Sequence, residues 1–221
     1  MYEWIIQNKD ILKLFYGLAI TLICAIIVIK TDRLFRLSLH QGIRYFRNAF
    51  LFYGMGFLIR YISGNFFQEN YYFFTNFLFE FFLIMAGFFL LYSLVWKKFE
   101  DSKRHSVSSL FNSRILLFYL MAFVISVLDL IWSTHSFMFI SQIILFVFAT
   151  AISYSNYQSN EKGKFLKFYF VAMLLSLIAW ILNFLATLTF DWNSLMLINV
   201  YGLNIIIFLL FLYGVIKVTK K

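Results

Sequence analysis

The sequence predicts an all-α integral membrane protein: a bundle of seven transmembrane helices, N-terminus outside and C-terminus cytoplasmic. Three observations predict it. Of 221 residues, 62% are hydrophobic and 13% charged, against about 45–50% and about 25% in soluble domains. The apolar residues fall into seven runs, each near the roughly 20 helical residues that cross a hydrocarbon core about 30 Å thick. Basic residues alternate from one connection to the next, the pattern that orients membrane proteins. A soluble fold this apolar would leave large apolar patches in water.

The runs can be justified in order. The first covers residues 11–29 and holds the one cysteine, Cys24, read as a packing residue. Bulky Ile23 before it and the acids Glu3 and Asp10 upstream argue against cleavage, so this run is read as a retained span. The second and third cover 45–62 and 72–96. Within the third, Phe81–Leu91 lacks the alternating polarity that a barrel strand needs. The fourth and fifth, 115–132 and 137–153, are joined by a short polar link. The sixth covers 165–188 and the seventh 195–216. In lipid, backbone groups must pair within their own segment, which favours helices. The chain has no proline, so no run loses a backbone donor midway.

The connections are short. The longest, 97–113 and 154–164, leave no room for a soluble domain, and a chain ending in KVTKK is not expected to carry a fused output module. The second–third and sixth–seventh hairpins superpose at an offset of 120, with Arg44 on Lys164, Arg47 on Lys167 and Lys97 on Lys217. A three-plus-one-plus-three set of parallel repeats has this form. Identity between the hairpins is near chance, so similar span lengths alone also produce the match.

Charge sets the orientation. The net charge is +9 with ten acidic residues. With the N-terminus outside, all of the nineteen basic residues except Lys9, Lys13 and Arg60 fall on the cytoplasmic side. Adding or dropping one span would scramble that alternation. The protein is therefore expected in the cell membrane as a multi-pass protein. Trp4, Trp132 and Trp192 then lie near the outer interface and Trp96 near the inner one, where amphipathic indoles favour those levels.

Residues 31–44 form a cytoplasmic basic amphipathic segment between the first two spans. Arg33, Arg36, His40, Arg44 and Arg47 recur every three or four residues, which is one helix face. The expectation is a short helix capped by Thr31 or Asp32 and lying in the interface. Phe35, Leu39, Ile43 and Phe46 would face the acyl chains. Arg33, Arg36, Arg44 and Arg47 would contact anionic lipid headgroups, each basic residue contributing about 1 kcal/mol. Docking of a cytoplasmic signalling partner is the alternative use. Nucleic acid is not an expected partner, because these charges belong to a membrane surface.

Polar residues inside the spans cluster in one layer. Arg60 is near the outer end of the second span, and Asn76 and Glu80 are in the third. Asp129 closes the fourth, with Gln142, Asn183 and Asn199 in the fifth, sixth and seventh. By helix rise they lie roughly 5–12 Å below the outer surface, with Asn204 the main exception nearer mid-membrane. Charged groups at such depth face the bundle interior or water. One reading is a pocket open to the outside, with Arg60 balancing Glu80 or Asp129 and aromatics such as Phe66, Phe67, Tyr72 and Trp180 as walls. The other is interhelical glue, polar groups bridging helices by hydrogen bonds. The asymmetry between membrane halves favours the pocket, since glue has no reason to avoid the inner half.

No residue set for catalysis, cofactor or metal binding is evident. His40, His105 and His135 lie in or beside connections without HxxxH or HExxH spacing. The topology puts His135 on the opposite side from the other two. One cysteine excludes thiolate clusters. GxSxG and Gly-rich phosphate loops are absent, and the seventh span lacks a mid-span lysine for a retinal Schiff base. An intramembrane enzyme using Asp129, Glu80 and serines is the enzymatic alternative.

The layout of seven helices, outside N-terminus and one-sided outer pocket resembles seven-helix receptors and the membrane input modules of bacterial sensor kinases, through topology alone. The expected function is that of a non-enzymatic receptor or sensor binding a small polar or amphipathic ligand through Arg60, Asn76, Glu80, Asp129, Gln142, Asn183 and Asn199. The alternatives are a small-solute or lipid transporter of three-plus-one-plus-three type and a structural membrane subunit without ligand.

Overall fold

The computed structural model describes residues 9–38, 40–63, 72–99, 113–132, 134–159, 164–189 and 196–219. They form seven α-helices: α1 (Lys9–Ser38), α2 (Gln41–Leu58), α3 (Tyr72–Phe99), α4 (Ser113–Trp132), α5 (Ser136–Ser159), α6 (Lys164–Thr189) and α7 (Met196–Thr219). A π-helical turn, Ile59–Ser63, continues α2. There is no strand among the described residues.

Six of these helices are long and apolar enough to cross a membrane, which makes this a multi-pass helical membrane protein. Large apolar side chains stand exposed around the outside, among them Leu22 at 62%, Leu120 at 61% and Leu188 at 63%. Water would not tolerate such a surface; lipid suits it.

The exception is α2, predicted as the second span at 45–62. Half of its eighteen residues are buried, including Tyr45, Asn48, Phe50, Tyr53 and Phe57. It lies antiparallel between α1 and α3. Along α3 the pairing runs from Gly42 beside Trp96 to Phe57 beside Phe79. Its surface faces protein more than lipid, so its composition is less apolar than its position suggests. Near the far end, Gly17 of α1 lies so close to Tyr61 that a β-carbon there would overlap the Tyr61 side chain. A glycine is what lets α1 approach the π-helical turn.

The helices close into a ring. Going round it, α1 packs on α2, α2 on α3, α3 on α5, α5 on α6, α6 on α7, and α7 back on α1. Helix α4 stays outside, against α3 and α5. Of the six apolar helices, α3 is the most buried and α4 the most exposed. Aromatic rings from α2 fill much of the interior: Phe50 meets Phe208 and Phe211, and Tyr53 meets Phe208. Such ring pairs add about 0.5–1.5 kcal/mol each beyond the area they bury.

The alternating helix directions bring Lys30, Arg33, Arg36, Arg44, Arg47, Arg114, Lys167 and Lys217 toward one end of the bundle, called the basic end below. Residues 31–38 there complete α1, and 41–44 open α2. This differs from the expected separate helix lying in the interface. Thr31 does not cap a new helix. Its hydroxyl donates back to the Ile27 carbonyl at 2.6 Å, and Asp32 pairs with Arg36 four residues on. Both contacts carry α1 onward, and at 1.5 Å per residue its last two turns project about 12 Å past Lys30. His40, in extended conformation (φ −80°, ψ 113°), ends the connection, and its carbonyl accepts the Ile43 N–H.

Candidate functional site

Two cavities of about 50 Å³ each lie one beyond the other inside the ring. Each is large enough for a few waters. The one nearer the far end takes wall residues from all six ring helices: Tyr16 (α1), Arg60 (the turn after α2), Leu83 (α3), Met138 (α5), Asn183 (α6) and Asn204 (α7) among them. The deeper one reaches Phe50, Phe146, Ser176 and Phe211. Phe57, Trp180, Asn183 and Asn204 line both and form the waist between them.

Local structure presents these groups. Arg60 lies on the π-helical turn, a feature often found at functional sites because it offsets the helix register. Its guanidinium stands 4.3 Å from the Phe79 ring centroid, a cation–π arrangement. Tyr16 stacks on Tyr201 at 4.2 Å and meets Tyr61 edge-on at 5.4 Å. The Asn204 amide donates to the Tyr16 hydroxyl at 3.0 Å. The chamber thus combines one cation, two amides and three phenols inside an apolar bundle.

Other members of the expected polar layer lie elsewhere. Glu80, 3% exposed, pairs with Nδ1 of His135 at 2.5 Å. That histidine sits in the α4–α5 connection. The ion pair that Glu80 makes among the described residues is thus with His135, a partner that the expectation of Arg60 balancing Glu80 or Asp129 did not include. Asp129 caps α5 from the end of α4. Its Oδ1 accepts the Phe137 N–H at 2.9 Å and the Thr134 hydroxyl at 3.1 Å, and its Oδ2 accepts the Met138 N–H at 2.6 Å. The two amides are orphan donors of the first turn of α5, which has no acid of its own there.

Gln142 is fully buried. Its Nε2 donates to the Leu83 carbonyl at 2.9 Å, joining α5 to α3. A β-carbon on Gly87 would meet its Oε1 at 2.7 Å, so a glycine opens the room this side chain occupies. Asn76 lies half-buried one turn from Glu80 on α3 and is not among the residues lining the two cavities. Asn199 belongs to the first turns of α7, and its side chain lies outside the described residues, as do those of Phe66, Phe67 and Tyr72. Of the predicted ligand residues, Arg60 and Asn183 come together at the chamber. Glu80, Asp129 and Gln142 tie α3, α4 and α5 to one another.

A third cavity, about 270 Å³, opens at the basic end between α1, α2, α3, α6 and α7. It is the largest of the three and lies opposite the polar layer. A layer of rings stands between it and the deeper axial cavity: Phe46 meets Phe50 at 4.8 Å and Tyr169 at 5.9 Å, and Phe211 meets Phe50 at 5.2 Å and Tyr169 at 6.0 Å. At the same end, Arg47 forms an ion pair with Asp32, tying α2 to α1. Arg44 lies over the Phe35 ring at 5.5 Å.

Sequence reasoning missed His135 as a partner of Glu80, and missed Tyr16, Tyr61 and Tyr201 as chamber walls. The pairing joins residues 55 positions apart, and no periodicity marks it. The phenols looked like ordinary span residues. The capping role of Asp129 did leave a signal, an acid closing one helix a few residues before the next begins.

Among the described residues, no group of three or more His, Cys, Asp or Glu could hold a metal ion. No protein-family model, no curated protein and no solved structure matches the chain.

Proposed function

We propose that this protein is a non-enzymatic receptor or sensor of the cell membrane, crossing it seven times with the basic end cytoplasmic. It binds a small ligand with an anionic or hydrogen-bond-accepting end in the chamber at the opposite, outer end. Arg60, Asn183 and Asn204 take the polar atoms of a ligand the size of a few water molecules, and Tyr16, Phe57 and Trp180 close around it. Glu80, His135, Asp129 and Gln142 hold the α3–α4–α5 side rigid around it. The observation that carries this reading is one chamber walled by all six ring helices and closed, toward the basic end, by the Phe46–Phe50–Tyr169–Phe211 layer. A signal passes through that layer to a separate cytoplasmic partner, while Arg33, Arg36, Arg44 and Arg47 hold anionic headgroups.

A second reading, a small-solute transporter, is favoured by the sequence of cavities along the bundle and by the grouping α1–α3, α4, α5–α7, in which α4 stands outside the ring. The single cysteine allows one experiment to separate the two. In a Cys24→Ala background, Asn204→Cys is treated with a membrane-impermeant thiol reagent from each side of sealed vesicles. Reaction from the outer side alone supports the receptor. Reaction from both sides overturns it in favour of transport. Silence from both sides leaves the structural subunit as the surviving reading.

A further inference from the structure

The reading above gives the basic-end cavity no ligand, and its chemistry differs from that of the axial chamber. Its walls are apolar side chains such as Leu34, Ile43, Phe46 and Val218. The hydroxyls that reach it are largely satisfied within the protein. Thr31 donates to the Ile27 carbonyl at 2.6 Å, Ser93 to the Leu90 carbonyl at 2.6 Å, and Tyr169 stands 3.5 Å from Ser93. The walls therefore suit hydrocarbon better than a polar solute. Apolar cavities of roughly 150 Å³ already bind benzene, and this one measures about 270 Å³. Left empty, its lining would forgo dispersion contacts.

Charge identifies the rest of the occupant. Exposed His40 stands at the cavity with its ring edge-on to Trp96, centroids 4.9 Å apart. This end carries Lys30, Arg33, Arg36, Arg44, Arg47, Arg114, Lys167 and Lys217 against one acid, Asp32, among the described residues. That acid is already engaged by Arg36 and Arg47. Among the described residues, positive charge thus outweighs negative around an apolar pocket.

We infer that the basic-end cavity is a binding site for one anionic phospholipid, which inserts an acyl chain between α1, α2, α3, α6 and α7 and leaves its phosphate among the surrounding cations. Each buried methylene of the chain adds to the affinity, and the field selects the headgroup. The inference rests on the basic end facing a headgroup surface, as proposed above.

The test uses the whole protein in nanodiscs of phosphatidylcholine doped with phosphatidylglycerol of the same acyl chains. Retained lipid is then counted by native mass spectrometry. The wild type is expected to keep one phosphatidylglycerol. Val218→Trp and Leu34→Trp each fill the cavity from a different helix, and each is expected to retain at least about tenfold less, a difference of about 1.4 kcal/mol. Their melting temperatures in detergent control for folding. Glycerol phosphate is expected not to bind, because the chain supplies the affinity. Retention of phosphatidylcholine to the same extent overturns the inference, as does retention of phosphatidylglycerol by a folded, filled variant. If neither variant folds, the wild-type count decides: one selectively retained anionic lipid supports the site and none overturns it. Neutralising Arg33 and Arg36, which do not line the cavity, tests the surface reading separately. It should weaken the general preference for anionic nanodiscs more than it lowers retention of the single lipid.

Discussion

On the α3–α4–α5 side, Asp129, Glu80 and Gln142 all bind protein groups: the first turn of α5, His135 and the Leu83 carbonyl. On the α1–α2–α6–α7 side, Arg60, Asn183 and Asn204 line a cavity. Both sets are charges and amides. What separates them is the helix face they occupy. Residues at a closely packed helix seam are absorbed as cross-links; residues aimed along the ring interior meet space that the aromatic rings leave open. A polar residue in a span is thus not by itself a site. It becomes one where the packing around it is incomplete.

Substitutions can break or sharpen that contrast. The largest effect is expected from Asp129→Ala, which removes the acceptor for two backbone donors and one hydroxyl. Unfolding in mixed micelles should show a loss of about 2–4 kcal/mol. A loss below that range would mean the carboxylate is not the cap it resembles, and would weaken the idea of a rigid side.

Next comes His135→Ala, which leaves the 3%-exposed Glu80 carboxylate without its partner. The expected cost is about 1–3 kcal/mol. Adding Glu80→Leu to the same chain should recover part of it, since an apolar pair replaces an unmatched acid. Failure to recover would show that Glu80 has work beyond this pairing, for instance at the chamber.

Gln142→Leu sits lower in the ranking. It loses the bond to Leu83 but also removes an Oε1 that has no hydrogen-bond partner among the described residues. The two effects oppose each other, so thermal unfolding should shift by less than about 1 kcal/mol. The smallest effect is expected for Asn204→Leu, below about 0.6 kcal/mol, because its amide faces a cavity and makes one bond to Tyr16. Its consequence belongs to ligand response instead. A large stability loss there would erase the difference between the two sides.

The spans were legible because a hydrocarbon solvent imposes length and polarity on any helix that crosses it. The expected 72–96 and 115–132 compare with Tyr72–Phe99 and Ser113–Trp132. Helix ends extend further where polar turns leave the apolar zone, as α1 does from Lys9 to Ser38. Composition alone ranked α2 as an ordinary span, since it cannot tell a helix facing lipid from one facing protein. The positions of the polar residues along their helices could be read from the sequence, but which of them meet protein and which meet a cavity could not. Whether Gln142 meets Leu83 or a cavity depends on how two helices distant in sequence are rotated against each other, and Gly87 opposite it decides that. His135 is harder still. A loop residue reaches a buried acid in another helix, and nothing local records the encounter.

The unusual polarity of α2 also bears on how the chain is made. Segments released from the translocon partition into lipid according to their own apolar content, and α2 carries Arg44, Arg47, Asn48 and Arg60 in or beside a short helix. Such a segment is poorly suited to entering the bilayer alone. In the proposed seven-span topology, its tight seam with α1, clamped by Asp32–Arg47 at one end and by Gly17 against Tyr61 at the other, would favour entry of the two helices as a hairpin. In that scheme α1 waits at the exit and escorts its neighbour in, so a lesion at Gly17 would surface as failed insertion before it was ever felt as lost stability.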